Sequence, residues 1–339
     1  GALVSLNQLM ITIGIVVAYL VDWAFSHGEN WRAMFAVAAI PATILLLGML
    51  GRPESPRWLV NHGREDEVRD RLDDGDVSEA WIDRAIEEWR DEDAARARSR
   101  GWRDLLLPGL RMAMIVGIGL AVIQQFTGIN TVIYYAPTIL SDTGLAPGNA
   151  ILQALPIGIV NVLATIVAIR LIDRLGRRPL LLTSLAGMAV SLVVLGFSFA
   201  LKDSLGGAQS WVALTSLVAY VAAFAIGLGP VFWLLIAEIY PNVVRGSAAS
   251  AASSANWLSN FAVSLVFLPV IDAVGQDVTF WILAALCVGS FFFVQRLVPE
   301  TKGRTLEEIS ADLGTTEGLE QAEGPRSDER PGGMTPPGA

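Results

Sequence analysis

The sequence predicts an all-α polytopic membrane protein with eight transmembrane helices. Hydrophobic residues make up 53% of the 339 residues and the mean hydropathy is +0.50, values that do not suit a soluble domain with a polar surface. The apolar residues are concentrated in runs of about 20 or more, the length that a helix needs to cross a bilayer. Polar residues deep inside these runs are mainly uncharged amides and hydroxyls, whereas the clear carboxylates lie at the ends of the runs.

The eight apolar runs are assigned to spans in chain order, each bounded by polar or charged residues. The predicted spans are residues 2–21, 31–51, 112–140, 150–172, 180–201, 211–240, 247–271 and 277–297. Proline lacks a backbone N–H, so a kink is predicted at Pro41 in the second span and at Pro137 near the end of the third. The sixth span should be broken at the Gly-Leu-Gly-Pro run of residues 227–230.

The segment between the second and third spans is polar and is predicted to form soluble helices that lie against the membrane domain. Ser55 followed by Pro56 has the pattern of an N-cap and a first helical residue. Further on, five apolar residues recur at helical spacing among charged ones: Trp81, Ile82, Ala85, Ile86 and Trp89. A charge-driven partner site is the alternative for this segment. The low-complexity chain after residue 310 is predicted to be disordered.

The net charge and the rare residue types exclude several kinds of site. The net charge is −9, and most of it comes from the polar segment and the tail rather than from the spans. The single cysteine, Cys287, offers neither a disulfide nor a cysteine-based metal site, and both histidines, His27 and His62, fall in polar connections. We therefore expect no metal, no cofactor and no nucleic-acid partner.

The distribution of arginine predicts the orientation in the membrane. Arginines cluster in the connections after the second, fourth and sixth spans and in the tail, whereas the other connections hold little beyond Arg32 and Lys202. Connections rich in Arg and Lys stay on the cytoplasmic side. Both ends of this chain are therefore predicted to be cytoplasmic, in a multi-pass protein of the cell membrane.

The third span carries a polar stripe on which the predicted function depends. On a helical wheel of about 100° per residue, the stripe occupies an arc of roughly 160°. Its members are Gln124, Thr127, Gly128, Asn130, Thr131, Tyr134 and Tyr135. Phe126, Ile129 and Ile133 fall on the opposite, lipid-compatible side, and Gln125 lies just past one edge. Because lipid cannot satisfy amide groups, the stripe must face protein or water.

Amide side chains in this position suit a neutral polyhydroxyl solute, because each offers donors and acceptors without a charge. The alternative is that these amides only join helices to one another. Three amides and two tyrosines on one helix favour the binding interpretation. An enzyme is not expected, since no nucleophile–base pair, phosphate-binding loop or intramembrane acid accompanies them.

Six motifs occur in order along the chain, within spans or at their ends. They are Pro53-Glu54-Ser55-Pro56-Arg57, Gln124-Gln125-x-Thr127-Gly128-Ile129-Asn130 with Tyr134-Tyr135, Asp173-Arg174-x-Gly176-Arg177-Arg178, Gly229-Pro230-x-x-Trp233, Glu238-x-Tyr240-Pro241 with Arg245-Gly246, and Pro299-Glu300-Thr301-Lys302-Gly303. In these motifs, over about residues 1–310, the chain resembles the sugar porter family of the major facilitator superfamily. One such motif is a weak signal, but six in order are specific.

The resemblance implies a major facilitator-type fold of twelve spans in two six-helix bundles. The first span here resembles the family's fifth and the last its twelfth, so this chain lacks counterparts of the first four. Residues 1–51 are then the last two helices of the N-terminal bundle, and residues 52–110 a cytoplasmic helical linker. Residues 111–298 form the six-helix C-terminal bundle, and residues 299–339 a cytoplasmic tail, mostly disordered.

The resemblance also implies the residues that bind the substrate. They are Gln8, Gln124, Gln125, Asn130, Asn161, Trp233, Asn256, Trp257 and Asn260. Trp233 suits the C–H face of a sugar ring, because an indole combines a large apolar face with one polar donor; an interfacial or packing tryptophan is the alternative. Tyr134 and Tyr135 correspond to part of an extracellular gate.

Charged residues at the cytoplasmic ends of the spans are implied to form an ion-pair network that latches the two bundles when the outside is open. They are Glu54, Arg57, Asp173, Arg174, Arg177, Arg178, Glu238, Arg245 and Glu300. Ordinary positive-inside charge with helix capping is the alternative. As part of such a latch, Arg177→Ala is expected to shift the protein towards the inward-open state.

The function that the resemblance implies is a secondary transporter for a monosaccharide or polyol. The solute binds near mid-membrane between the bundles, which rock so that the site faces alternate sides. We expect a monomer in the lipid bilayer, with proton symport in preference to facilitated diffusion. A non-transporting sugar sensor is the alternative, although a short low-complexity tail does not favour one.

Overall fold

The computed structural model describes residues 2–26, 28, 30–73, 78–98, 105–144, 147–304 and 308–309. His27 and the tail whose disorder we predict lie outside these residues, apart from the start of the tail. In the described part of the chain, eight helical segments are long and apolar enough to cross a membrane. The predicted fold class and number of spans are therefore confirmed.

The helices follow the predicted spans, with ends that move by a few residues. They are α1 (Ala2–Ser26), α2 (Trp31–Val37), α3 (Ala39–Met49), α4 (Pro56–Asn61), α5 (Glu65–Asp73), α6 (Glu79–Arg98), α7 (Arg111–Phe126), α8 (Ile129–Ser141), α9 (Pro147–Leu175), α10 (Arg177–Ala200), α11 (Lys202–Leu205), α12 (Gln209–Ile226), α13 (Leu228–Glu238), α14 (Asn242–Val274) and α15 (Gln276–Leu297). Short 3₁₀ turns precede α7 and α12, at Pro108–Leu110 and Gly206–Ala208.

Proline and glycine interrupt three of the spans. The second span breaks at Ala38, between α2 and α3, where the ring of Pro41 crowds the carbonyl of Val37 and offers it no donor. The third span breaks at Thr127 and Gly128 rather than at Pro137, which lies inside α8. The kink predicted at Pro137 is therefore not the main interruption of that span.

The break in the sixth span is confirmed at Gly227, between α12 and α13. A Cβ atom on Gly227 would lie 2.3 Å from the carbonyl oxygen of Leu180, so only glycine fits where this span crosses α10. The N–H of Leu228 donates to Oγ of Ser184 at 3.2 Å. This bond satisfies one of the amides that the start of α13 leaves without a helical partner.

The last six spans pack around one core, and the first span joins them. α10 packs on α12 and α15, α7 on α14, and α9 on α8 and α12, while α1 lies along α9. By contrast, no residue of α2 or α3 is buried. Their apolar surfaces need an apolar environment, such as the bilayer provides.

The helices α4, α5 and α6, between the second and third spans, have a small core of their own. Its members are Leu59, Val60, Val68, Ile82 and Ile86, with Trp58, Leu72 and Trp89 packed against it. The N-cap is confirmed, since the N–H of Trp58 donates to Ser55 Oγ at 3.2 Å. Trp81 does not belong to the buried stripe, because its side chain is 48% exposed. Contacts between α6 and α14 hold these helices against the membrane domain.

Candidate substrate-binding site

A cavity of about 100 Å³ lies between the first span and the last six. Its lining combines amides with aromatic and aliphatic side chains. The lining residues are Gln8, Ile11, Thr12, Ile15, Gln124, Gln125, Ile129, Asn130, Ile133, Asn161, Phe224, Trp233, Asn256 and Trp257. Eight of the nine predicted binding residues are therefore brought together at one cavity.

Asn260 is the predicted residue that does not line the cavity. It is half-buried one turn beyond Asn256 on α14, and its Oδ1 accepts a hydrogen bond from Oγ of Ser264 at 3.4 Å. Thr12, which is 1% exposed, also lines the cavity and was not among the predicted residues. Because residues four apart lie on the same face of a helix, the prediction for Gln8 could have been extended to Thr12.

The break in the third span determines how its amides meet the cavity. Gly128 adopts a left-handed conformation with φ of 89°, so α8 starts in a new direction after α7. Gln124 and Gln125 in the last turn of α7 and Asn130 in the first turn of α8 then face the same space. A Cβ atom on Gly128 would also lie 2.8 Å from Leu283, so both backbone and packing require glycine here.

This break corrects the helical-wheel prediction of a lipid-facing side. Ile129 and Ile133 are 1% and 6% exposed and line the cavity, whereas Phe126 is exposed as predicted. The wheel assumed one continuous helix, and the left-handed residue rotates α8 relative to α7. Gln125, which the wheel placed past the edge of the stripe, is also buried in the site, where it bonds to Asn130 and Asn256.

Four amide side chains form a connected set of hydrogen bonds around the cavity. Gln125 donates from Nε2 to Oδ1 of Asn256 at 3.0 Å, and Asn130 donates from Nδ2 to Oε1 of Gln125 at 2.9 Å. Asn256 in turn donates from Nδ2 to Oε1 of Gln124 at 2.8 Å. Each amide is held by its neighbours, so their orientations are fixed before any ligand enters.

Gln124 connects this amide set to the broken sixth span. Its Nε2 donates to the carbonyl oxygens of Leu228 at 3.1 Å and Gly229 at 3.3 Å. Asn256 has a similar second bond, to the carbonyl oxygen of Ala121 at 3.1 Å. Gln124 and Asn256 thus each donate to backbone carbonyl oxygens, while Gln125 and Asn130 bond to other amide side chains.

Asn161 supplies the unused acceptor of the site. Its Oδ1 is buried and has no hydrogen-bond partner in the described part of the chain, although the residue lines the cavity. A buried carbonyl without a donor is costly, of the order of 1–3 kcal/mol. A hydroxyl group of a bound molecule would relieve that cost.

The remaining predicted residues differ in burial. Gln8 and Trp233 are half-buried, and the ring of Trp233 lies edge-on to Phe232 with centroids 4.8 Å apart. Trp257 lines the cavity at its edge and is 60% exposed. Of the predicted gate residues, Tyr135 stacks on Phe267 at 5.6 Å, whereas Tyr134 is 54% exposed. The roles of these residues stay predictions.

A second polar cluster lies at the start of α10, the end of α13 and the chain just after α15. Arg177 donates to both carboxylate oxygens of Glu238, from Nη2 at 2.8 Å and from Nε at 3.3 Å. Thr301 Oγ1 donates to the same carboxylate at 2.6 Å. Asp173 is exposed and makes only a looser ion pair with Arg177, at 3.6 Å.

Glu300 caps the start of α10 from outside that helix. Its carboxylate accepts the backbone N–H groups of Arg177 at 2.9 Å, Arg178 at 3.1 Å and Lys302 at 2.9 Å. Burial raises the pKa of Glu300, but these backbone hydrogen bonds outweigh it and the pKa is lower than usual. A Cβ atom on Gly176 would collide with this carboxylate at 2.6 Å, which explains the glycine beside it.

The latch between the bundles stays a prediction. The bonds of Arg177, Glu238 and Glu300 join parts of the last six spans and the chain after them, so they do not bridge to the first two spans. Among the other predicted members, the carbonyl of Arg174 accepts a bond from Lys302, Arg178 donates to the carbonyl of Gln295, and Arg245 donates to that of Tyr240. Arg57 is half-buried and Glu54 is exposed.

Comparison with known proteins agrees with the arrangement of spans and cavity. The family model for "Sugar (and other) transporter" matches residues 1–313. The chain belongs to the sugar porter family of the major facilitator superfamily. Sugar porters are membrane transport proteins rather than enzymes, which agrees with the expectation from the sequence.

Two bacterial relatives illustrate the similarity. The D-xylose transporter of Levilactobacillus brevis is 40% identical over 327 residues, covering 95% of this chain and 70% of that protein. The D-xylose-proton symporter of Escherichia coli strain K12 is 36% identical over 326 residues, covering 92% of this chain and 64% of that protein. This chain thus spans about two thirds of the length of these relatives.

Solved structures show the same fold. The proton:xylose symporter XylE bound to 6-bromo-6-deoxy-D-glucose superposes with a TM-score of 0.73 at 34% identity, covering 92% of this chain and 66% of XylE. An inward open conformation of XylE from E. coli gives 0.72, also at 34% identity, with 92% and 65% covered. At this identity the likeness extends beyond the fold to the family.

Proposed function

We propose that this protein is a secondary transporter that carries a monosaccharide or polyol across the cell membrane by alternating access. The observation that carries the proposal is the buried set of mutually bonded amides, Gln124, Gln125, Asn130 and Asn256. No Asp or Glu lines this cavity in the described residues. An uncharged lining of this kind selects a neutral molecule with several hydroxyl groups.

Binding of such a molecule is an exchange of hydrogen bonds. Sugar hydroxyls take over the bonds that Gln125 makes to Asn256 and receives from Asn130, and one hydroxyl donates to Oδ1 of Asn161. Trp233 offers an aromatic face to the C–H groups of the ring. Relatives named as transporters of D-xylose, glucose and myo-inositol support a pentose, a hexose or a cyclitol as the substrate.

Membrane arrangement and coupling belong to the same proposal. The arginine-rich connections place both ends of the chain in the cytoplasm, with residues 1–51 in an N-terminal bundle and residues 111–298 in a C-terminal one. A monomer is proposed because the four bonded amides all belong to one chain. Proton symport is proposed because relatives are named as xylose-proton and arabinose-proton symporters.

Uptake into liposomes that contain the natural full-length gene product tests the proposal. We expect saturable uptake of radiolabelled D-xylose, D-glucose or myo-inositol. An inward proton gradient should drive accumulation of the sugar, and a protonophore should abolish that accumulation. D-Glucuronate should not compete, because a charged sugar meets no cation in the described lining. A protein that binds sugar in detergent but moves none in liposomes would be a sensor, and the transport proposal would be wrong.

A further inference from the structure

Tyr19 makes a buried contact that the sequence analysis did not predict. Its hydroxyl donates to the carbonyl oxygen of Ile133 at 2.6 Å, and its side chain is 6% exposed. Tyr19 lies on α1, the first span, whereas Ile133 lies on α8, the second half of the broken third span. The bond therefore joins two spans that are far apart in sequence.

Pro137 explains why this carbonyl is free to accept. In an α-helix the carbonyl of residue 133 accepts the N–H of residue 137, and proline has no N–H. The hydroxyl of Tyr19 takes the place of that missing donor. A buried carbonyl without any donor is unfavourable, so α8 is more stable against α1 than away from it.

The other end of α8 is held by a different part of the molecule. Tyr220 on α12 donates to the carbonyl oxygen of Thr127 at 2.7 Å, beside the left-handed Gly128. The break is thus fixed to the last six spans, and α8 packs against α9, α12 and α14 of the same group. Between α8 and the first span, the hydrogen bond that the described residues show is the one from Tyr19, so this bond must break if α8 moves away from α1.

Close packing fixes the position of Tyr19. α1 lies along α9, and a Cβ atom on Gly158 of α9 would lie 3.0 Å from Cγ2 of Val16 and 3.3 Å from Cδ2 of Tyr19. Gly158 thus lets α1 approach closely enough for the hydroxyl to reach α8. Below this contact, Ile15 and Ile133 line the cavity.

We propose that Tyr19 is a gate and positioning residue, whose hydroxyl holds α8 closed over the substrate cavity on its outer side. The inference rests on the proposed function and orientation, which place this half of α1 towards the outside. Closure positions Asn130 and Ile133, both on α8, at the cavity. Opening to the outside breaks the bond to Ile133, and the freed groups bond to water.

The test measures how readily the cavity is reached from outside. Ile15→Cys places a thiol in the cavity wall, one turn from Tyr19, in a full-length protein whose native cysteines, Cys287 among them, are replaced by serine. A membrane-impermeant maleimide is then added outside intact cells that make this protein. We expect Tyr19→Phe to speed labelling about two- to tenfold, the effect of one lost net hydrogen bond. Equal labelling rates would overturn the proposal.

Pro137→Ala supplies the control for the mechanism. Alanine restores an N–H that can satisfy Ile133 within α8, so Tyr19→Phe should change the labelling rate much less in that background. An equally large effect in both backgrounds would contradict the role of the freed carbonyl. Because labelling is measured without sugar, these results do not depend on the liposome uptake that tests the transport proposal.

Discussion

At the scale of residues, the amides explain how a site can bind a sugar and still release it. Each hydrogen bond contributes about 1 kcal/mol net, because it replaces a bond that already exists. In the closed set the replaced bonds are those between Gln125, Asn130 and Asn256. No single exchange therefore holds the sugar tightly, which suits a carrier that must let its substrate go.

Asn161 provides a prediction that separates binding from stability. We expect Asn161→Ala to weaken sugar binding about tenfold or more, because it removes the unpaired Oδ1 that would accept a hydrogen bond from a sugar hydroxyl. The melting temperature of the empty protein should not fall, since that oxygen has no partner to lose. Isothermal calorimetry and a thermal-shift assay measure the two effects. A large fall in melting temperature with unchanged affinity would show a structural role instead.

The helical wheel shows which residues the sequence could place and which it could not. The amides were identified because uncharged polar groups in an apolar run must find partners. The prediction that Ile129 and Ile133 face lipid was wrong. The left-handed Gly128 changes the direction of the helix after Gln124, so one helical wheel cannot describe both halves of the span. The effect of Gly128 depends on packing against Leu283, which is remote in sequence.

At the scale of elements, the breaks in the third and sixth spans build the site together. Gln124, at the end of α7, bonds to two carbonyls in the first turn of α13. Broken helices expose backbone groups that only a polar side chain or water can satisfy inside a membrane. The break at Gly227 was predictable from its Gly-Leu-Gly-Pro run, whereas its bond to Gln124 depends on the tertiary fold.

Gly227 is therefore expected to tolerate no side chain. Gly227→Ala would place a methyl group 2.3 Å from the carbonyl oxygen of Leu180, so backbone must move. We expect a loss of about 2–3 kcal/mol, as in other overpacked cores, seen as a lower melting temperature. Gly289→Ala is the matched control, because no atom lies within 4 Å of its added methyl group. Equal melting temperatures for both variants would contradict the close approach.

Glu300 gives a prediction for pH dependence at the start of α10. Its lowered pKa means that the carboxylate stabilises the fold above the usual pKa of glutamate, and that this stabilisation is lost as the pH falls through the lowered pKa. Glu300→Gln should lower stability by about 1 kcal/mol at neutral pH, since the group is partly exposed to solvent. In thermal-shift scans the gap to the unchanged protein should close on acidification. A gap that widens at low pH would contradict this cap.

At the scale of the whole molecule, the first span lies along α9 and also meets the last six spans at the cavity. The cavity lies between them, and the hydroxyl of Tyr19 bonds to α8 at its edge. The number and class of spans were predicted because hydropathy and arginine report on the bilayer directly. Which helices touch was not readable from the pattern, as lipid-facing and protein-facing surfaces are similarly apolar.

Arg177 tests whether its cluster is a scaffold or a latch. Its partners Glu238 and Glu300 lie in the same group of spans, so we now expect Arg177→Ala mainly to lower the melting temperature. The labelling rate of Ile15→Cys from outside should stay near that of the unchanged protein. A change of tenfold or more in that rate, with unchanged melting temperature, would support the latch between bundles.

The most direct measurement of the central claim is calorimetric titration of the full-length protein with a panel of neutral sugars. Gln125→Ala removes a buried amide that bonds to both Asn130 and Asn256. The matched control Gln295→Ala removes an exposed amide from the end of α15. The account predicts that Gln125→Ala abolishes binding of the sugar that the unchanged protein and Gln295→Ala bind alike. Undiminished binding by Gln125→Ala would contradict it.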